Sequence, residues 1–165
     1  MTLTADDRIH LSGIDAFRQC LSEQLQQTRH SVHILSHSLD IKLFGLDNIS
    51  TLLTDISRNA GKRTNIRILI KDKTPLVKAA HPLAQVHRRL PSIVNIRQLL
   101  VPPTNGQMCY IITDESALLF QHEENVFTGF FDPEARAEVR RLLDEHDRLW
   151  ERQSSAIAEL RQFAL

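Results

Sequence analysis

The sequence predicts a mixed α/β fold in which helices pack on the faces of one sheet. Short runs of aliphatic and β-branched residues alternate with longer amphipathic segments, which favours parallel strands connected by helices. A pair of adjoining strands late in the chain adds an antiparallel hairpin, so the predicted sheet is mixed. The length of 165 residues is typical of one domain with one hydrophobic core.

The first half of the chain predicts two helices separated by a strand. Apolar residues recur every three or four positions over about 13–29, which indicates an amphipathic helix. The run SVHILS predicts a buried strand over 31–36. A second helix is expected from a cap at Asn48 or Ser50 to about Ala60.

The middle of the chain predicts a strand, a helix and a strand. The runs NIRILI and IVNIRQL are β-branched and apolar, so we expect strands over 65–70 and 93–99. Pro82 suits the first turn of a helix and Pro91 suits its end, which predicts a helix over about 81–90.

The last third predicts a hairpin followed by helices. We expect the hairpin strands over 108–113 and 117–120, joined by the turn-forming Asp-Glu-Ser. A stripe of apolar residues predicts a long helix over about 133–152, and a short helical tail follows over about 155–163.

Composition excludes several classes of protein. Lys and Arg total 20 and Asp and Glu total 20, so the formal net charge is zero, which excludes a generally basic nucleic-acid binder but leaves room for a basic patch. Cys20 and Cys109 are too few for a disulfide scaffold, and no paired Cys or His motif indicates zinc, so neither a metal nor a cofactor is predicted. No signal-peptide pattern or membrane-spanning apolar run occurs, which predicts a cytoplasmic protein without a membrane partner.

The hairpin carries a resemblance to the phospholipase D superfamily. Active members have HxKxxxxD on the strand that enters such a hairpin, where His attacks phosphorus and Lys stabilises the oxyanions. With Asp114 at the Asp position, the sequence QMCYIITD puts Gln107 at the His position and Cys109 at the Lys position. The downstream GSxN element falls on residues 121–124 and is absent. The resemblance therefore implies the fold, while the degenerate motif implies a domain without the family's catalytic residues.

The same resemblance implies a domain organisation and a partner. One domain is expected over 1–165, with a phospholipase D-like core over about 13–152 and a helical tail over 153–165. A chain of this size is similar to one half of the two-motif enzymes, and active single-motif members pair to complete their site. The resemblance thus implies a homodimer with a cleft between the two copies.

A second, narrower resemblance rests on three strings. SHSLD at 36–40, HPLAQVHRRLPS at 81–92 and DRLWERQ at 147–153 are similar to an uncharacterised bacterial domain appended to GNAT-type acetyltransferases. This resemblance implies an acetyltransferase domain as a partner, and it carries no activity.

Polar residues at strand ends and on one helix are the candidate anion-binding groups. Ligands of parallel sheets gather at the carboxyl ends of strands, and helical spacing puts a histidine and two arginines on one polar helix face. The candidates are Ser36, His37, Lys71, Lys73, His81, Arg88 and Arg89. The structural alternatives are solvated loops, a salt-bridged or dimer-contacting helix face, a turn-forming role for Asp114 and a buried inert thiol at Cys109.

Three functions follow from these residues. The leading hypothesis is a non-catalytic binding or assembly module with an anion- or phosphate-binding cleft. The second is a residual phosphodiesterase or nuclease that uses His37, His81, Lys71 and Asp114. The third is a nucleic-acid-binding domain without chemistry, whose affinity falls steeply with salt.

Overall fold

The structure is a computed structural model that describes residues 8–60, 64–78, 80–102, 108–123 and 125–161. Within them, one mixed sheet forms from β1 (Ile9–Ser12), β2 (Ser31–Ser36), β3 (Asn65–Ile70), β4 (Val94–Leu99), β5 (Cys109–Thr113), β6 (Ala117–Glu123), β7 (Val126–Asp132) and β8 (Ser154–Ala156). The strand order across the sheet is β1-β7-β6-β5-β2-β3-β4-β8. The predicted mixed α/β fold is confirmed.

The helices lie between and after these strands. They are α1 (Ile14–Gln26), α2 (Ile41–Phe44), α3 (Asp47–Ala60), α4 (Thr74–Lys78), α5 (Pro82–Arg89), α6 (Arg136–Arg152) and α7 (Ala158–Arg161). Helix α5 begins as the sequence predicts, because Pro82 lacks the N–H that the first turn leaves unpaired. No helix in the described ranges combines the length and the apolar character that crossing a bilayer requires.

Strand direction defines two ends of the sheet. β2, β3 and β4 run parallel, whereas β5 is antiparallel to β2 and β6 is antiparallel to β5. We call the end where β2, β3, β4 and β6 finish, and where β5 and β7 start, the carboxyl end. The opposite end is the amino end. Of the predicted motif positions, Cys109 therefore starts β5 at the carboxyl end, and Asp114 follows the strand at the amino end.

Two apolar clusters cover the two faces of the sheet. On the first face, α1, α3 and α5 pack over strand residues such as Ile34, Ile68 and Ile111. On the second, α6 packs over residues such as Leu35 and Tyr110. Neighbouring residues of β2 thus point into different clusters, because successive strand side chains alternate between faces. Burial on both faces explains why the central strands are mostly apolar, with polar residues such as His33 and Arg67 on the α6 side near the amino end.

Several elements differ from the prediction. β1 is a short and mostly exposed strand, and α2 and α4 have four and five residues, too few for a periodic pattern. β6 continues to Glu123, three residues beyond the predicted strand. In the predicted helical tail, Ser154–Ala156 instead pairs with β4, and α7 covers only Ala158–Arg161. The remainder of the predicted tail lies outside the described residues.

The seven-residue strand β7 is the longest element that the sequence pattern fails to indicate. Gly129 interrupts its apolar run, and β-propensity is poor at glycine. The structure gives this glycine a packing role, since a Cβ there would lie 1.8 Å from the Phe120 carbonyl oxygen. The strands approach closely beside the register shift between Gln121 and Glu123, where a bulge disturbs the ladder.

Candidate ligand-binding site

The carboxyl end brings together polar residues that follow β2 and β3. The Lys71 N–H donates to the carbonyl oxygens of Ser36 at 3.2 Å and His37 at 2.9 Å, and the Asp72 N–H donates to His37 at 2.7 Å. Ser36 is fully buried, and its Oγ accepts a hydrogen bond from the Leu39 N–H at 3.0 Å. His37 is exposed and Lys71 is half-buried. An imidazole and an ammonium group thus belong to adjoining loops at this end.

Cys109, which the sequence predicts at the position of the motif lysine, starts β5 at the same end. It is 1% exposed and belongs to the apolar cluster beneath α1, α3 and α5. In the β5–β6 register it pairs with Gln121. A thiol in apolar surroundings carries no positive charge, so it does not replace a lysine as an oxyanion stabiliser. Gln107, at the histidine position, lies outside the described residues.

The positions of the GSxN element adjoin Cys109. Gln121 is buried, and its Nε2 donates to the Val126 carbonyl oxygen at 3.0 Å, so the amide holds the β6–β7 connection. His122 and Glu123 are exposed. Glu124 lies outside the described residues. Gln121, the buried residue among these positions, therefore has a structural role in this chain.

Lys73 and Arg88 contact α7. The Lys73 Nζ lies 2.7 Å from Glu159 Oε1, and this hydrogen bond is the main cause that lowers the pKa of the Glu159 carboxyl. Arg88 Nε donates to the Leu160 carbonyl oxygen at 3.3 Å. Arg89 is exposed at the end of α5. The predicted anion-binding set is thus divided between the β2 and β3 loops and the surroundings of α7.

His81 lies inside the protein, where the structure differs from the predicted polar helix face. It is 2% exposed and is the N-cap of α5, with Nδ1 accepting from the Leu83 N–H at 3.1 Å. Its Nε2 lies 2.9 Å from the Leu39 carbonyl oxygen, and burial lowers the pKa of the imidazole. Because Nδ1 accepts and a carbonyl only accepts, Nε2 carries the proton. His81 therefore joins the loop after β2 to α5.

Asp114 lies at the amino end, where it binds three backbone N–H groups. Its Oδ1 accepts from His30 at 2.7 Å and Ser31 at 3.1 Å, and its Oδ2 accepts from Arg29 at 2.9 Å. Asp114 lies five positions after Cys109, which corresponds to about 17 Å along a strand. The four residues of the hypothesised phosphodiesterase are not brought together, because one is buried and Asp114 lies at the opposite end.

Exposed apolar side chains concentrate at the carboxyl end. Among the described residues, five large hydrophobic side chains are exposed, and Ile9 is the one that lies at the amino end of its strand. The other four follow β2 or β4 or start β7. They are Ile41 (54% exposed), Leu100 (63%), Val101 (37%) and Val126 (44%). We call these four residues the apolar rim. Single exposed apolar side chains are common at protein surfaces, and a partner that covered these four would bury apolar area.

A second polar cluster lies under α6, and sequence reasoning missed it. His33 and His146 meet edge to face, with ring centroids 5.1 Å apart, and Trp150 stacks on His146 at 6.1 Å. The guanidinium groups of Arg67 and Arg97 lie over the Trp150 ring at 5.2 Å and 5.6 Å. The two histidines lie in the predicted strand over 31–36 and the predicted helix over about 133–152, but nothing in their spacing of 113 residues indicates that they touch.

Most of the chain matches one sequence family. Residues 13–163 match the family described as "Domain of unknown function (DUF7931)". The chain belongs to this family. No curated protein matches the chain. The family match covers β2 to β8 and the seven described helices of the DUF7931 domain, leaves out β1, and assigns no activity.

Solved structures confirm the phospholipase D-like fold of this DUF7931 domain. NucT from Helicobacter pylori has a TM-score of 0.65 at 12% identity, over 91% of this chain and 98% of its own. Phosphatidylserine synthase from Haemophilus influenzae Rd KW20 has a TM-score of 0.64 at 7% identity, over 94% of this chain and 40% of its own. TrmBL2, an archaeal chromatin protein described with a novel mode of DNA binding, has a TM-score of 0.67 at 13% identity, over 91% of this chain and 55% of its own. The chain thus spans about half of TrmBL2 and nearly all of NucT.

Proposed function

We propose that this domain binds a phosphate-containing ligand without catalysing its hydrolysis, and that this ligand is a nucleic acid. The binding surface is the carboxyl end of the sheet, and the working form is a homodimer. The observation that carries the proposal is the buried, uncharged Cys109 at the position where active relatives have lysine. The surface keeps polar loops and an apolar rim, whereas the described motif position at that end has no catalytic group.

Two features support an anionic ligand. His37 and Lys71 belong to adjoining loops at the carboxyl ends of parallel strands, where ligands of such sheets bind. TrmBL2, which shares the fold over 91% of this chain, is described as binding DNA. A lysine contacts phosphate as a point charge, so binding should be strongest at low salt.

The apolar rim supports the homodimer. Two copies related by a two-fold axis at the carboxyl end would cover the same four exposed side chains on each copy. The pairing would also bring two sets of His37 and Lys71 to one cleft. NucT, which this chain matches over 98% of its length, shows that the fold is not restricted to longer chains.

Sedimentation velocity tests the dimer. We expect a dimer for the unaltered chain and a monomer for Leu100→Asp, because the substitution would bury a carboxylate in the interface. The matched control is Ile9→Asp, which introduces the same charge at the amino end and should remain dimeric. A monomeric unaltered chain, or equal dissociation of both variants, would refute the assignment of this surface.

Fluorescence anisotropy with labelled DNA tests the ligand. We expect Lys71→Ala to weaken DNA binding by roughly tenfold. It should also reduce the slope of log affinity against log salt concentration by about one, because one phosphate contact is lost. Arg58→Ala is the control, since this exposed arginine lies near the end of α3, before β3 starts at the amino end. Absence of salt-dependent binding to DNA would refute nucleic acid as the ligand, and equal effects of both variants would refute the site.

A hydrolysis assay tests the absence of catalysis. We expect no turnover of a phosphodiester or of DNA above that of His37→Ala, with or without a divalent metal. Turnover that disappears in His37→Ala would instead support the residual phosphodiesterase. An acetyltransferase-domain partner and a cytoplasmic location remain predictions from the sequence, and co-purification with such a domain would test the first.

A further inference from the structure

We infer that His33, His146 and Asp147 form a binding site for a divalent transition-metal ion between α6 and the sheet. One ring nitrogen of each histidine and one carboxylate oxygen of Asp147 all lie within 4.8 Å of one another. His33 is the third residue of β2, and the other two are neighbours on α6. Zinc requires donors at about 2.0–2.2 Å, so the three groups would have to move closer together around a bound ion.

Burial makes the two histidines unusual. His146 is 0% exposed and His33 is 5% exposed. The Nδ1 atom of each ring is buried and has no hydrogen-bond partner among the residues that the structure describes. A buried polar atom without a partner destabilises a fold, so most such atoms are paired. One ion that binds both rings would supply the partner that the two Nδ1 atoms lack.

The second nitrogen of His146 fixes the geometry of the first. Its Nε2 lies 3.2 Å from the Ile34 carbonyl oxygen. Because a carbonyl only accepts, Nε2 carries the proton and Nδ1 keeps its lone pair. A metal-binding histidine characteristically donates its other N–H to a carbonyl or carboxylate, which orients the ring. His146 already has this arrangement.

Charge supports the same assignment. Imidazole binds a metal through a ring nitrogen that carries no proton, and the contact of His146 Nε2 with the Ile34 carbonyl oxygen leaves its Nδ1 in that state. Asp147 is half-exposed and supplies a negative charge, and Arg67 Nη1 lies 3.8 Å from its Oδ1. A carboxylate has two oxygens, so Asp147 can bind an ion while Arg67 orients it.

The site has an entrance. A pocket of about 530 Å³ reaches His33 and Asp147 from the amino end, and Arg67 and Asp114 line its wall. Two imidazoles and one carboxylate favour zinc, cobalt or ferrous iron over calcium or magnesium, which prefer oxygen ligands. Three protein ligands leave a coordination position open toward the pocket for water. This end of the sheet is opposite to the proposed nucleic-acid surface.

Titration with Zn²⁺ and with Co²⁺ tests the inference. Trp150 is the only tryptophan and stacks on His146, so its fluorescence reports binding. We expect saturable binding of one ion and a higher melting temperature in Zn²⁺. Asp147→Asn should weaken the affinity by roughly tenfold or more. Asp144→Asn is the control, since this exposed carboxylate lies one turn earlier on α6.

X-ray absorption at the zinc edge gives the readout that does not depend on a variant. The loaded protein should show two imidazole ligands, whereas ions on scattered surface histidines would show fewer. Non-saturable binding, equal effects of Asp147→Asn and Asp144→Asn, or a spectrum without two imidazoles would overturn the site. Substitution of either buried histidine is not needed, which avoids variants that fail to fold.

Discussion

Asp114 is the acidic residue of the degenerate motif, and its contacts indicate a structural role. Three hydrogen bonds join it to backbone N–H groups of Arg29, His30 and Ser31 at 2.9, 2.7 and 3.1 Å. They fasten the β5–β6 turn to the residues that start β2. We predict that Asp114→Asn lowers the free energy of unfolding by about 2 kcal/mol, because an amide has one accepting oxygen and no charge.

The magnitude follows from the geometry. Asparagine keeps the size of the side chain and tolerates the positive φ of 51° at this position, so the substitution isolates the carboxylate. A hydrogen bond to a charged group contributes about 1.5–3 kcal/mol, and loss of one or two partly exposed bonds gives about 2 kcal/mol. At roughly 2–4 °C per kcal/mol for a domain of this length, the melting temperature should fall by about 4–8 °C.

Urea denaturation followed by Trp150 fluorescence measures the effect. Glu115→Gln is the matched control, because Glu115 is the exposed neighbour with a similar φ of 58°. We expect the control to remain within about 0.5 kcal/mol of the unaltered chain. If Asp114→Asn were as stable as the control but lost binding at the carboxyl end, the structural role would be refuted.

Three other predictions concern packing and titration. Gly129→Ala should destabilise the fold by at least about 3 kcal/mol, because its Cβ would collide with the Phe120 carbonyl oxygen. In calorimetry, the exposed control Thr128→Ala should melt at nearly the same temperature as the unaltered chain. Burial raises the pKa of Tyr110, the only tyrosine, far above 10. Ultraviolet titration should therefore show no tyrosinate until alkali unfolds the chain. The free energy of unfolding should fall as the pH rises above 10, because only the unfolded chain then loses the proton. Burial raises the pKa of the Cys20 thiol to about 11. Alkylation of Cys20 at pH 8 should therefore be slow in the folded chain and fast in urea. Fast alkylation of the folded chain would contradict the burial of this thiol.

The sequence predicts most of the fold because its main elements are locally encoded. The apolar periods before Gln26 and after Arg136 mark helices that do form, and the runs around Ile34 and Ile68 form central strands. β7 escapes prediction because Gly129 breaks its pattern, and only its tertiary contact with β6 explains that glycine. Tertiary packing determines the conformation of such segments, and the local sequence pattern does not indicate that packing.

The candidate sites are less predictable, because each depends on contacts between distant segments. Strand order is enough to bring His37 and Lys71 to one end of the sheet, as the alternation of strands and helices predicts. The inward position of His81 contradicts the helical-face prediction, because the residue is an N-cap rather than part of the helix. The meeting of His33 and His146 depends on how α6 crosses β2, which no spacing of residues encodes.

The two ends of β5 give Asp114 and Cys109, the two described residues of the predicted motif alignment, different structural roles. Asp114 is bound to backbone N–H groups, and those groups need an acceptor whatever chemistry occurs elsewhere. Cys109 instead packs in the apolar cluster with Ile111 and Leu119, where an ammonium group would lose its solvation without a partner. A lysine at 109 is therefore incompatible with this core unless its neighbours change too. The packing at the carboxyl end thus accounts for a small, weakly polar side chain at position 109.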